Sequence, residues 1–172
     1  MDQILHKMMK ESDNLYAESM YYQIAASTGN RPASAKSARN VERQLIRKIG
    51  LDPARYKLAD GSGLSLYNYL SAELEVKLLR YAYRDENMYQ QLKQSLPIAG
   101  VDGTLKKRMK TGYAHGNVKA KTGTLTGIIS LAGYCKAANG HELCFSIINN
   151  GIMHGNNARN FADKVCELLC KP

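Results

Sequence analysis

Up to about Gly100 the apolar positions recur at helical spacing, and beyond residue 117 they fall into β-type runs punctuated by glycine. Residues 1–27 read as helix, loop, helix. Ile4, Leu5, Met8 and Met9 mark the first helix, and Leu15, Ala17, Met20, Tyr21 and Ile24 form the stripe of the second. The break falls at Ser12-Asp13-Asn14, three small polar residues of the kind that cap helices. Gly29, Asn30 and Pro32 end the second helix. Val41, Leu45, Ile46 and Ile49 predict another, which stops at Gly50 because glycine tolerates the left-handed conformation of a helix C-terminus. Asp60-Gly61-Ser62-Gly63 is a loop; Leu74, Leu78, Tyr81 and Ala82 mark a further helix, and a short one around Met88 to Leu92 leads to Pro97 and Gly100.

Val118, Ile128, Ile129, Leu131, Tyr134, Leu143, Phe145, Ile147 and Ile148 predict three antiparallel strands. Asn139-Gly140 is a two-residue hairpin signal, since both residues accept positive φ. Counting outward from it sets Ala138 opposite His141 and Cys135 opposite Cys144, a non-hydrogen-bonded pair close enough for a disulfide. Ala158, Phe161, Ala162, Val165, Leu168 and Leu169 give a C-terminal helix an apolar face that can cover the sheet. Helices, then a meander, then a covering helix is the pattern of an α+β domain. Three strands make a thin sheet with an open edge, which points to further chain.

Composition bounds the function loosely. At 172 residues with 44% hydrophobic content, the chain has enough for one core. The formal charge of +9 favours an acidic partner, such as anionic wall polymer, lipid or nucleic acid. The basic residues, Arg39, Arg43, Arg47, Lys48, Lys106, Lys107, Arg108 and Lys110 among them, are spread over helix-like segments and read as a solvated face. No apolar run reaches the ~20 residues of a membrane span, and no secretion signal opens the chain. The four cysteines fit no zinc spacing, so no metal is expected. His6, His115, His141 and His154 read as surface residues.

Two short motifs carry chemistry. Ser12-Asp13-Asn14 alone would be only a cap. Lys121-Thr122-Gly123-Thr124 sets a cation and two hydroxyls at a strand start; it is no phosphate loop, because Ala120 precedes the lysine and a strand follows. In this order the two motifs are those of penicillin-binding proteins and serine β-lactamases. Together with Asp60-Gly61-Ser62-Gly63-Leu64-Ser65, Leu96-Pro97-Ile98-Ala99-Gly100, Gly103-Thr104-Leu105 and Ala120-Lys121-Thr122-Gly123-Thr124-Leu125, the chain resembles the C-terminal part of a serine D-alanyl-D-alanine carboxypeptidase/endopeptidase, a low-molecular-mass penicillin-binding protein. The resemblance runs from about Ser12 to Asn150.

That resemblance implies a penicillin-binding protein/β-lactamase-like fold. Residues 1–172 would be the C-terminal part of one transpeptidase-like domain, with 1–116 mainly helical, 117–151 antiparallel strands and 155–170 the closing helix. The family also needs Ser-x-x-Lys, and no serine here has lysine three residues on. Ser34-Ala35-Lys36 is one residue short and lies after Ser12. The nucleophile is therefore expected upstream of Met1, and the chain alone should be inactive. By resemblance, Ser12 relays a proton to the leaving amine, Asn14 holds the substrate amide, and Lys121 supplies charge. Thr122 and Thr124 hydroxyls bind the terminal carboxylate beside Gly123, and the Thr124 N–H forms half of the oxyanion hole.

No cofactor or metal is implied. The implied partners are peptidoglycan stem peptides ending in D-Ala-D-Ala, β-lactams in the full-length enzyme, and the missing N-terminal part, with no nucleic acid. The implied location is periplasmic or extracytoplasmic. There a Cys135–Cys144 bond could persist, and reduced cysteines as small core residues stand as the equal alternative. Leu66 stands where the family often has arginine, which leaves side-chain preference open. The competing reading is a non-catalytic basic module binding anionic wall polymer or nucleic acid.

Overall fold

A computed structural model describes every residue except Met1 and Asn30, so the expected stop at Asn30 lies outside the described residues. Among the described residues six α-helices and three strands follow in the order α1 (Asp2–Lys10), α2 (Asn14–Ala26), α3 (Ala35–Lys48), α4 (Ala72–Tyr83), α5 (Glu86–Ser95), β1 (Lys119–Leu125), β2 (Ile128–Lys136), β3 (Glu142–Asn150) and α6 (Gly155–Cys170). The sheet is antiparallel in the order β1-β2-β3. The chain is thus the α+β arrangement of a helical region and a sheet covered by its last helix.

Alternation along β2 builds the three layers. Leu131 and Cys135 point to α6 and pack with Ala162, Cys166 and Cys170 in the largest core. Ala132 and Tyr134 point the other way, into a second core with Leu79 of α4, Tyr89 of α5 and Leu96. The Tyr134 hydroxyl satisfies itself there by donating to the Leu79 carbonyl at 2.7 Å. Arg108 locks α6 to the loop before β1 through Asp163, at 2.7 Å. That arginine is an anchor and not part of a solvated basic face, because its guanidinium is mostly covered.

The hairpin between β2 and β3 differs from the expected one. Lys136 pairs with Glu142 and Tyr134 with Cys144, so Cys135 lies opposite Leu143. The Ala137 and His141 backbones close a three-residue loop, Ala138-Asn139-Gly140, with Gly140 at φ +84° in the position that such loops reserve for glycine. One extra loop residue moves the register by one and turns Cys135 and Cys144 to opposite faces of the sheet. Cys144 joins the core beneath α4 and α5, Cys135 joins the α6 core, and all four cysteines are free thiols.

Candidate active site

Ser12 sits between α1 and α2 at φ +57°, a left-handed conformation that costs a non-glycine residue about 1–2 kcal/mol. Its neighbour Asp13 holds the bend as the N-cap of α2, its Oδ1 accepting from the Leu15 and Tyr16 amides at 3.0 and 3.2 Å. The cap is therefore the middle residue of the motif, which frees the serine hydroxyl to point elsewhere. It points at the sheet. Lys121 Nζ donates to Ser12 Oγ at 2.7 Å, across 109 residues of sequence.

Lys121 reaches Ser12 because strand alternation sends it to the helical side of β1, the side shared by its neighbour Ala132. Its second bond goes to the Thr122 carbonyl at 2.8 Å. Burial lowers its pKa from the ordinary lysine value, since nothing anionic is close enough to offset the lost hydration. A lysine that gives up its proton more readily, in contact with a hydroxyl, is equipped to pass a proton through that hydroxyl.

Thr122 lies on the opposite face, opposite Leu131, and its hydroxyl donates to Thr104 Oγ1 at 2.9 Å. Gly123 is paired with Ser130, Thr124 is exposed and paired with Ile129, and Asn14 is exposed on the first turn of α2. Ser12 and Lys121 are thus joined directly, and Thr122 through its own carbonyl. Asn14 and Thr124 stand on the surface beside them in sequence, without joining the bonded chain.

The outer edge of β1 supplies backbone groups. Its start is covered, because the Ala120 amide donates to the Pro97 carbonyl at 3.0 Å. The amides alternate along a strand, so those of Thr122 and Thr124 face the same outer side as that of Ala120. Among the described residues no strand pairs with this edge beyond Ala120.

Two supporting features were not assigned from sequence. Thr104, quoted only within a motif, fixes the Thr122 hydroxyl. Lys10, 6% exposed, forms an ion pair with Asp102, whose other oxygen accepts the Ile98 amide at 2.8 Å. This ties the end of α1, two residues before Ser12, to the loop that flanks β1. Gly103 lets the two approach, as a Cβ there would lie 2.6 Å from the Lys10 carbonyl oxygen. The loop at Asp60 is fastened to α2 in turn, with the Ser62 amide donating to Glu18 at 2.9 Å, and Leu66 beyond it is exposed. All four histidines are exposed, and Ser34 serves as the N-cap of α3, its Oγ accepting the Ser37 amide at 3.2 Å. Among the described residues no cluster of His, Cys, Asp and Glu could hold a metal, and no helix is long and apolar enough to cross a membrane.

The family model for D-Ala-D-Ala carboxypeptidase 3 (S13) peptidases matches residues 1–171. The chain belongs to this family. It is 36% identical over 154 residues to D-alanyl-D-alanine carboxypeptidase DacB of Haemophilus influenzae, covering 88% of this chain and 32% of that protein. It is 40% identical over 156 residues to D-alanyl-D-alanine carboxypeptidase of an Actinomadura species, covering 88% of this chain and 28% of the relative. The crystal structure of Haemophilus influenzae penicillin-binding protein 4 complexed with a novel β-lactam superposes with a TM-score of 0.85 at 32% identity, over 96% of this chain and 41% of that one. This S13 chain therefore spans about a third of the length of those curated relatives.

Proposed function

We propose that this S13 chain supplies one wall of the active site of a serine-type D-Ala-D-Ala carboxypeptidase/endopeptidase, as the C-terminal part of one transpeptidase-like domain. The observation that carries the reading is the 2.7 Å contact between Lys121 Nζ and Ser12 Oγ beside an unpaired strand edge. In the reaction, a serine from a Ser-x-x-Lys segment outside this chain, its proton taken by the lysine of that segment, attacks the carbonyl of the penultimate D-alanine. The C–N bond then breaks, and the departing amine takes a proton through Ser12, replenished by Lys121. The Thr124 amide and the amide of the nucleophile stabilise the oxyanion. Asn14 holds the substrate amide, and the hydroxyls of Thr122 and Thr124, beside Gly123, receive the terminal carboxylate. Water completes the cycle by hydrolysing the acyl-enzyme.

On this reading the substrates are peptidoglycan stem peptides ending in D-Ala-D-Ala, the inhibitors are β-lactams, and the working location is extracytoplasmic. No cofactor takes part. Because the chain has no Ser-x-x-Lys, it is inactive by itself. The test is single-turnover acylation by a fluorescent penicillin in the enzyme carrying both motifs. Ser12→Ala should slow acylation at least ~100-fold, the scale of a positioned proton-transfer group. A rate within twofold of the unmodified enzyme would remove Ser12 from the reaction.

A further inference from the structure

The loop before β1 aims at the candidate site one side chain that the proposed reaction leaves unused. Thr104 stands in a 3₁₀ turn, Gly103–Leu105, and its Oγ1 accepts the Thr122 hydroxyl at 2.9 Å. The turn is a rigid mount. Leu105 is fully buried in the α6 core, its carbonyl accepts the Gly100 amide at 3.1 Å, and Gly103 turns the chain at φ +54°. Asp102, just before the turn, pairs with Lys10 and accepts the Ile98 amide. Thr104 is thereby fixed beside β1 while it stays exposed to solvent. An exposed hydroxyl pair adds little to stability, because water can replace either partner. What Thr122 has to do at the site accounts for the pair better.

A threonine hydroxyl has one proton and two lone pairs. With its proton given to Thr104, Thr122 shows an incoming carboxylate only lone pairs, which repel it. Receiving the anion requires Thr122 to turn that proton outward. Among the described residues no other hydrogen bond engages the Thr104 hydroxyl, so its own proton is uncommitted. It can take over the bond. Both hydroxyls then rotate about their C–O bonds, no heavy atom moves, and the same 2.9 Å separation serves the reversed direction. A hydroxyl that accepts one bond is a stronger donor in the next, since bonds in a chain polarise one another.

We propose that Thr104 is a positioning residue of the carboxylate site: as the terminal carboxylate arrives, the Thr104 hydroxyl donates to Thr122 Oγ1 and Thr122 donates to the anion. This role rests on the reading that Thr122 receives the substrate's terminal carboxylate. It makes Thr104 a determinant of specificity, favouring peptides with a free carboxylate over the same peptides closed as an amide, whose neutral end gains less from a polarised donor.

The test compares acetylated Lys-D-Ala-D-Ala with its C-terminal amide, in the enzyme carrying both motifs and with enzyme in excess so that slow cleavage is counted. The quantity read is the ratio of the two kcat/KM values. In Thr104→Val, which keeps the shape and removes the proton, the preference for the free carboxylate should fall about tenfold, chiefly through KM, and Thr104→Ser should restore it. Because Thr104 acts through Thr122, Thr104→Val should change the ratio no further in a Thr122→Val background. An unchanged ratio in Thr104→Val, equal losses on both peptides, no recovery in Thr104→Ser, or full additivity with Thr122→Val would each overturn the proposal. The two readings part at Thr122→Val. If that variant keeps the preference, the carboxylate site is misassigned and the role of Thr104 falls with it; if it loses the preference while Thr104→Val keeps it, the site stands and only Thr104 is struck.

Discussion

Lys121 and Glu42 are both ionisable side chains that burial pushes toward the neutral form, one downward and one upward in pKa, yet their surroundings differ in kind. Lys121 has its partners inside the chain, Ser12 Oγ and the Thr122 carbonyl, and a frame that holds them in place. Glu42 Oε2 has no hydrogen-bond partner among the described residues and is sealed from solvent. On the proposed function the first arrangement is a preorganised relay, in which desolvation tunes a group already aimed at its target. The second leaves a polar cost standing, which protonation of the carboxyl reduces.

The comparison breaks most sharply at the relay. Lys121→Ala, in the enzyme carrying both motifs, should reduce the rate of penicillin acylation at least ~100-fold with little change in stability. A smaller effect comes from loosening the frame while leaving the relay intact. Asp102→Ala strands Lys10, and chemical denaturation should register a loss of ~2 kcal/mol, less than for a fully buried pair because the carboxylate is partly exposed.

Glu42→Gln should act with the opposite sign. With a folded pKa of about 7 against an ordinary 4.5, the native state holds a proton that the unfolded chain has lost. Stability then falls as pH rises from 4.5 to about 7. Removing the charge should therefore stabilise the chain by ~1 kcal/mol at pH 8, a figure reduced for partial solvent screening, and change nothing at pH 4. The gentlest effect tests the burial on which both shifts depend. Cys135 and Cys166, pushed up to about 12, should resist a thiol reagent at pH 8 in the folded chain, while half-buried Cys144 reacts first.

Much of the fold is legible in the apolar pattern, because α3, α4 and α6 bury residues at helical spacing and β2 alternates between two cores, although Leu15 of the expected α2 stripe and Phe161 and Leu168 of the expected α6 face are exposed. The stripe at Leu45, Ile46 and Ile49 and the stop at Gly50 coincide with α3 and its end. The strand register is not legible. Asn-Gly fits either a two-residue or a three-residue loop, and the choice of Ala138-Asn139-Gly140 depends on which face of β3 the cores accept. That single residue reverses the prediction for Cys135 and Cys144. Within the site, Ser12 and Lys121 are visible as motifs, but their contact spans 109 residues. The Lys10–Asp102 pair spans 92 and belongs to no motif, so only the tertiary packing of α1 on the loop reveals it.

The central claim is that half of an acyl-transfer site resides here, and one measurement meets it directly: covalent labelling by a fluorescent penicillin. The 172-residue chain alone should take up no label, and the same chain joined to a Ser-x-x-Lys segment of its family should be labelled stoichiometrically. Stoichiometric labelling of the chain alone, or none in the joined protein once it is folded, would contradict the account.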